Sequence, residues 1–200
     1  MADGREPLKS WQTVPWPAEV DEANPDPHDP RLPVQLPAIV NDLDTIRFAL
    51  EGTGTQLVLS SFIWMVEPGL RLDLVRDAGL FRYLNQTYWP VSYTNLRRFA
   101  DFQNRVFERY AERHQLPFLD VSRDFPRDPS LFADGIHLRY DGLRYQAWLY
   151  FERLTSLIES RIAAGTLPHD ARMTRDHHPA FDLAGPRVIS LSELRAHCHG

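Results

Sequence analysis

Leu131-Phe132-Ala133-Asp134-Gly135-Ile136-His137-Leu138-Arg139-Tyr140-Asp141-Gly142 places an acid three residues ahead of a histidine, then a glycine, then the start of a long amphipathic run. A carboxylate that holds one imidazole nitrogen leaves the other free to take a proton. Asp134 and His137, sharing one short loop, are therefore a candidate acid–base pair. A D-x-x-H by itself is more often an incidental surface turn. The elements on either side weigh against that reading here.

Downstream, Asp141 is the expected N-cap of a helix. Leu143, Ala147, Tyr150, Phe151, Leu154, Leu157, Ile158 and Ile162 recur at helical spacing, and Gly165 ends the run. Upstream, a turn-rich stretch from Asp124 to Pro129 follows Leu116-Pro117-Phe118-Leu119-Asp120-Val121, a short apolar run that reads as a parallel strand. Before it, Leu96, Phe99, Ala100, Val106, Phe107, Tyr110 and Ala111 mark the buried stripe of a helix capped by Thr94 or Asn95, with Gln103 intruding.

Gln56-Leu57-Val58-Leu59-Ser60-Ser61-Phe62-Ile63 reads as another buried parallel strand. Ser60 and Ser61 fall toward its carboxyl end, the edge at which open α/β sheets hold ligands. Ile39, Leu43, Ile46 and Leu50 predict a helix over 38–51 before it, stopped by Gly52 and Gly54. Residues 64–93 are irregular and aromatic, with short helices expected near 70–77 and 79–86. A lid or pocket wall and a plain packing layer are equal readings of that insert. The order helix, strand, insert, helix, strand, loop, helix predicts an α/β fold with a parallel sheet.

The 200 residues amount to one domain of ordinary size, with 43% hydrophobic and 24% charged residues. A net charge of -5 argues against a nucleic-acid partner. No apolar run is long enough for a membrane span. Cys198 is the single cysteine, so there is no disulfide framework. Residues 1–37 carry Pro7, Pro15, Pro17, Pro25, Pro27, Pro30, Pro33 and Pro37 and read as an extended, partly wrapped arm pinned by Trp11 and Trp16. That start is no signal peptide, so a cytoplasmic location is expected if the 200 residues are the whole natural chain. Residues 166–200 read as a loose polar tail. Its His169, His177, His178, His197, His199 and Cys198 match no zinc spacing, and no metal site is assigned to them.

Residues 38–165 resemble the C-terminal half of the SGNH (GDSL-type) hydrolase family. The resemblance rests on Asn41–Ala49, on the Gln56–Ile63 run, on Asn104–Asp120 (N-R-V-F-E-R-Y-A-E-R-H-Q-L-P-F-L-D), and on Phe132–Gly142 with its D-x-x-H-L and following glycine. It implies a three-layer-like parallel sheet with flanking helices, SGNH- or flavodoxin-like and incomplete on its N-terminal side. It makes Asp134 the imidazole-orienting acid and His137 the general base of a Ser-His-Asp triad. The implied substrates are carboxylic esters, among them acetylated sugars, lipids and small acyl esters, with no metal or organic cofactor.

The chain departs from the family at the nucleophile. It has no Gly-Asp-Ser and no G-x-S-x-G elbow. Asn41-Asp42 imitates the family's G-x-N-D block without its glycine. Ser10, Ser60, Ser61 and Ser92 are poor candidates, each better explained as a locally satisfied hydroxyl. The expectation is thus a portion of an ester hydrolase that lacks its nucleophile block, through a truncated gene start or a split protein. The alternatives are a non-catalytic SGNH-like binding protein and an α/β interaction module. An unfinished sheet would leave an open edge and bare apolar helix faces, so marginal stability, aggregation, or a partner chain completing the sheet is expected.

Overall fold

Aspartates turn the proline-rich arm back on itself. Asp21, Asp26 and Asp29 each accept a backbone N–H two residues on, from Ala23 at 2.9 Å, His28 at 3.0 Å and Arg31 at 2.9 Å. These are Asx turns, the use to which short acidic side chains are suited between prolines. The computed structural model describes residues 16–88 and 91–166. By compactness the chain divides into Met1–Ser160 and Arg161–Gly200, and both hydrophobic clusters belong to the first unit. Ser10, Trp11, Trp89 and the tail histidines with Cys198 lie outside the described residues.

The arm covers one side of a helical body. Val20 and Leu32 are buried with Leu36 and Val40 of α1 (Leu36–Leu50) and with Phe102, Val106 and Tyr110 of α3 (Tyr93–Arg113). Trp16 meets Phe102 edge to face at 4.9 Å, and the Arg98 guanidinium lies 4.4 Å over the Trp16 ring while pairing with Glu22. Pro37 sits in the first turn of α1, where its missing N–H costs nothing. Ser92 caps α3 by accepting the Asn95 N–H at 3.3 Å, so the cap lies ahead of the expected Thr94 or Asn95.

A second cluster lies on the other side of α3. There Leu96 and Ala100 pack with Ile63, Met65 and Val66, with Leu80 and Leu84 of α2 (Ala78–Gln86), and with Leu119, Val121, Phe125, Phe132 and Leu149. Because α3 is covered on two sides, Phe102 is as buried as the stripe read from the sequence. Residues 70–73 are irregular and 74–77 a turn, not helix. Asp73 accepts the Val75 and Arg76 N–H groups at 2.8 and 2.9 Å and so competes with the helical pattern.

The expected three-layer-like parallel sheet with flanking helices is corrected by the structure. The described chain is mostly helical, with one two-stranded parallel sheet of β1 (Leu59–Ser60) and β2 (Phe118–Leu119) in the register Leu59↔Phe118, Ser60↔Leu119. Both strands are cut short by the groups beside them. Pro117 precedes β2 and has no N–H to extend the ladder. Directly after β2, α4 (Val121–Asp124) bends the backbone into a helical turn. Past β1, the Phe62 N–H and C=O are taken by the Asn104 side chain at 2.7 and 3.0 Å, where a further strand would have paired.

The last helix, α5, spans Tyr140–Ala163. Its expected buried stripe is also corrected. Of that stripe Tyr150 and Leu154 are partly covered while Leu143, Phe151 and Ile158 are exposed, and Leu149, outside it, is buried with Trp148 beside it exposed. Among the described residues no helix is long and apolar enough to cross a membrane.

Candidate acid–base site

The Asp134–His137 loop is built from its own backbone outward. The Asp134 carboxylate accepts the N–H groups of Ile136 at 2.9 Å and His137 at 2.8 Å through Oδ1. Its other oxygen, Oδ2, lies 2.7 Å from Nδ1 of the His137 imidazole. The turn is closed by Ala133 N–H donating to the His137 carbonyl at 2.8 Å, and by the antiparallel bridge Phe132↔Leu138. Burial works to raise the Asp134 pKa, but the bonds from Ile136 and His137 outweigh it and hold the carboxyl below its ordinary value. Asp134 therefore stays ionised beside the ring.

One backbone bond ties this loop to the body, and further contacts close it on itself. The Gly135 carbonyl accepts the Met65 N–H at 2.8 Å, tying the loop to the segment that leaves the carboxyl end of β1. Arg139 donates from Nε to the Phe132 carbonyl at 2.7 Å and from its backbone N–H to the Leu131 carbonyl at 2.8 Å. Gly142 lets that same Leu131 carbonyl come close, since a Cβ there would lie 2.3 Å from its oxygen. The glycine that follows D-x-x-H-L thus has a steric reason in this chain.

The imidazole is open on its far side. The His137 side chain is 69% exposed and Asp134 only 21%, and Nε2 makes no hydrogen bond to any described residue. Gly135 packs under Leu84, Tyr83 and Tyr88, so α2 and the turn after it form an aromatic wall beside the pair. Burial, with Tyr83 and then the Asp134 charge nearby, raises the Tyr88 hydroxyl pKa well above its ordinary value, so Tyr88 stays neutral. Tyr88 also lines an apolar cavity of about 220 Å³ with Trp16, Trp64, Val91 and Phe99.

The serines, poor nucleophile candidates in the sequence, have other hydrogen-bond partners. Ser60 Oγ is 2.8 Å from the Tyr150 hydroxyl. Ser61 is buried and its Oγ accepts the Ser122 N–H at 2.7 Å. Ser92 is the cap of α3. Asn41 lies on an exposed face of α1, away from any oxyanion role.

At the carboxyl end of the strands lies a polar basin that sequence reasoning did not single out. Arg127 donates there to the Ser122 carbonyl at 2.9 Å and Oγ at 2.7 Å, and to the Phe125 carbonyl. Burial lowers the Arg127 pKa, while Glu67, Asp101 and Asp120 act in the opposite direction. Arg127 and Ser122, whose N–H donates to Ser61, thus lie at the edge toward which the sequence placed Ser60 and Ser61. The local signal was weak, an arginine in a turn-rich loop.

No protein-family model matches the chain, and neither a curated protein nor a solved structure matches it. Nothing in these comparisons indicates an SGNH hydrolase.

Proposed function

We propose that Asp134 and His137 are the acid and base of an ester-hydrolysing site of the SGNH type, acting on a carboxylic ester. The observation that supports it most is the 2.7 Å contact between His137 Nδ1 and an ionised Asp134, with Nε2 left open to solvent. In this reading Nε2 removes a proton from the attacking hydroxyl, Asp134 stabilises the imidazolium, and the proton is returned to the leaving alcohol. The apolar cavity that shares Tyr88 offers room for a short acyl group.

Ser60, Ser61 and Ser92 are engaged elsewhere and the 200 residues contain no Gly-Asp-Ser. Full acyl transfer then needs a serine from another segment or chain. Without one, water is the nucleophile that His137 activates. The assay is hydrolysis of 4-nitrophenyl acetate by the full chain. We expect slow turnover, reduced about tenfold or more in H137A, reduced in D134N, and restored to H137A by added imidazole. Equal turnover by the chain and H137A would sink the enzymatic reading. It would leave the second one, a non-catalytic SGNH-like binding protein, which the engaged serine hydroxyls favour.

A further inference from the structure

We infer that His28, Asp44 and His114 form a binding site for a divalent transition-metal ion of the zinc type. They come from three separate parts of the chain, the Asx-turn arm, the middle of α1 and the C-terminal end of α3. One donor atom from each lies within 4.8 Å of the other two. His28 Nε2 is 3.0 Å from Asp44 Oδ2, and His114 Nε2 is 3.9 Å from Asp44 Oδ1.

Two observations make this more than a chance cluster. His114 Nε2 is buried and has no hydrogen-bond partner, and a buried ring nitrogen left unpaired is costly unless something else takes its lone pair. Asp44 is meanwhile held as ligating carboxylates are held. Tyr110 donates its hydroxyl to Oδ1 at 2.8 Å and Arg47 approaches the same oxygen at 3.5 Å, leaving Oδ2 turned to His28.

Two imidazoles and one carboxylate suit zinc and its neighbours better than calcium or magnesium, which prefer all-oxygen shells. Tetrahedral bonds of about 2.0–2.1 Å set the donors about 3.3–3.4 Å apart, so the His28–Asp44 pair opens slightly from 3.0 Å while His114 closes by about half an ångström from 3.9 Å. The arm that carries His28 is a turn-linked layer able to make that adjustment. Arg47 opposes a cation directly, and its hydrogen bond to Glu51 at 3.1 Å offsets part of that charge. His28 and Asp44 are partly exposed, so a water can complete the coordination. Occupancy would join the arm to α1 and α3 across the helical body.

The sequence histidines near the C-terminus are competing ligands, so the test removes them first. The full chain with His169, His177, His178, His197 and His199 changed to Ala and C198S is stripped with chelator. It is then titrated with zinc chloride against a chromophoric chelator. We expect one equivalent bound at micromolar or tighter affinity and a Tm raised by about 5–10 °C at hundredfold excess over Kd. H28Q, on the partly exposed arm, and D44N should each lose that equivalent with the far-ultraviolet circular dichroism unchanged. Y110F should weaken it by about tenfold. Cobalt(II) on the tail-substituted chain should give a ligand-field spectrum that H28Q abolishes. Binding only at millimolar zinc, or an equivalent that survives H28Q and D44N together, would overturn the inference.

Discussion

Gly142→Ala tests whether the Asp134–His137 loop is held where the structure places it. A methyl at this position meets the Leu131 carbonyl oxygen at 2.3 Å and Leu138 Cβ at 3.2 Å. The backbone must give by about 1 Å, since overpacked groups in a close-packed interior move or strain. The Leu131 oxygen also accepts the Arg139 N–H at 2.8 Å, and a shift of that size breaks the bond. Overpacking costs about 1–3 kcal/mol, and the lost bond about 0.5–1.5 kcal/mol. Against this stands the helix preference for Ala over Gly, up to about 1 kcal/mol in α5. The net is a loss of about 2 kcal/mol, or about 4–8 °C in Tm for a chain of this size. The sign is the decisive feature, because without the close approach Ala would stabilise the helix. Thermal melts by circular dichroism give the stability. The His137 ring resonances report whether the loop has moved. A Gly142→Ala chain as stable as the parent, or more stable, with unchanged His137 resonances, would refute the reasoning.

Asp134 should make stability depend on acid pH. Its folded pKa is lowered, so its contribution is present above the unfolded value of about 3.9 and is lost as pH falls through the folded pKa. The stability gap between the parent and D134N should therefore be open at neutral pH and close below about pH 4. A gap that does not change between pH 6 and pH 3 would remove the ionised Asp134 from the account. On α5, Trp148 is 54% and Phe151 62% exposed, and their rings stack at 6.0 Å. A bare apolar face of this kind drives association. The double variant W148K/F151K should lower self-association in light scattering with Tm nearly unchanged, and a parent chain that stays monomeric on concentration would contradict this.

Most of what was legible in the sequence is short in range. The hydrogen-bonded Asp134–His137 pair needs only one turn of backbone, and the acid and the histidine in that turn are three residues apart. The helix α1 and the ends set by Gly52, Gly54 and Gly165 were legible for the same reason. The cap of α3 was misplaced because Ser92, Thr94 and Asn95 have similar local chemistry, and only the bond to the Asn95 N–H separates them.

Strand pairing, ligand assembly and the facing of α5 are long in range. The apolar runs 56–63 and 116–121 look like full strands, yet the ladder depends on what lies beside them. Asn104, from the middle of α3, closes one end by taking both backbone groups of Phe62. The stripe of α5 has helical period all round, and periodicity cannot choose the covered side when apolar residues occur on several. His28, Asp44 and His114 carry no common spacing, and only the packing of the arm and α1 beside α3 makes them neighbours. The amino-acid order therefore determines turns and the Asp134–His137 contact, whose partners are joined through a few bonds of backbone. The size of the sheet, the exposed face and the histidine–aspartate cluster were decided by the tertiary structure, because each depends on which distant groups take up one another's hydrogen bonds and apolar surface.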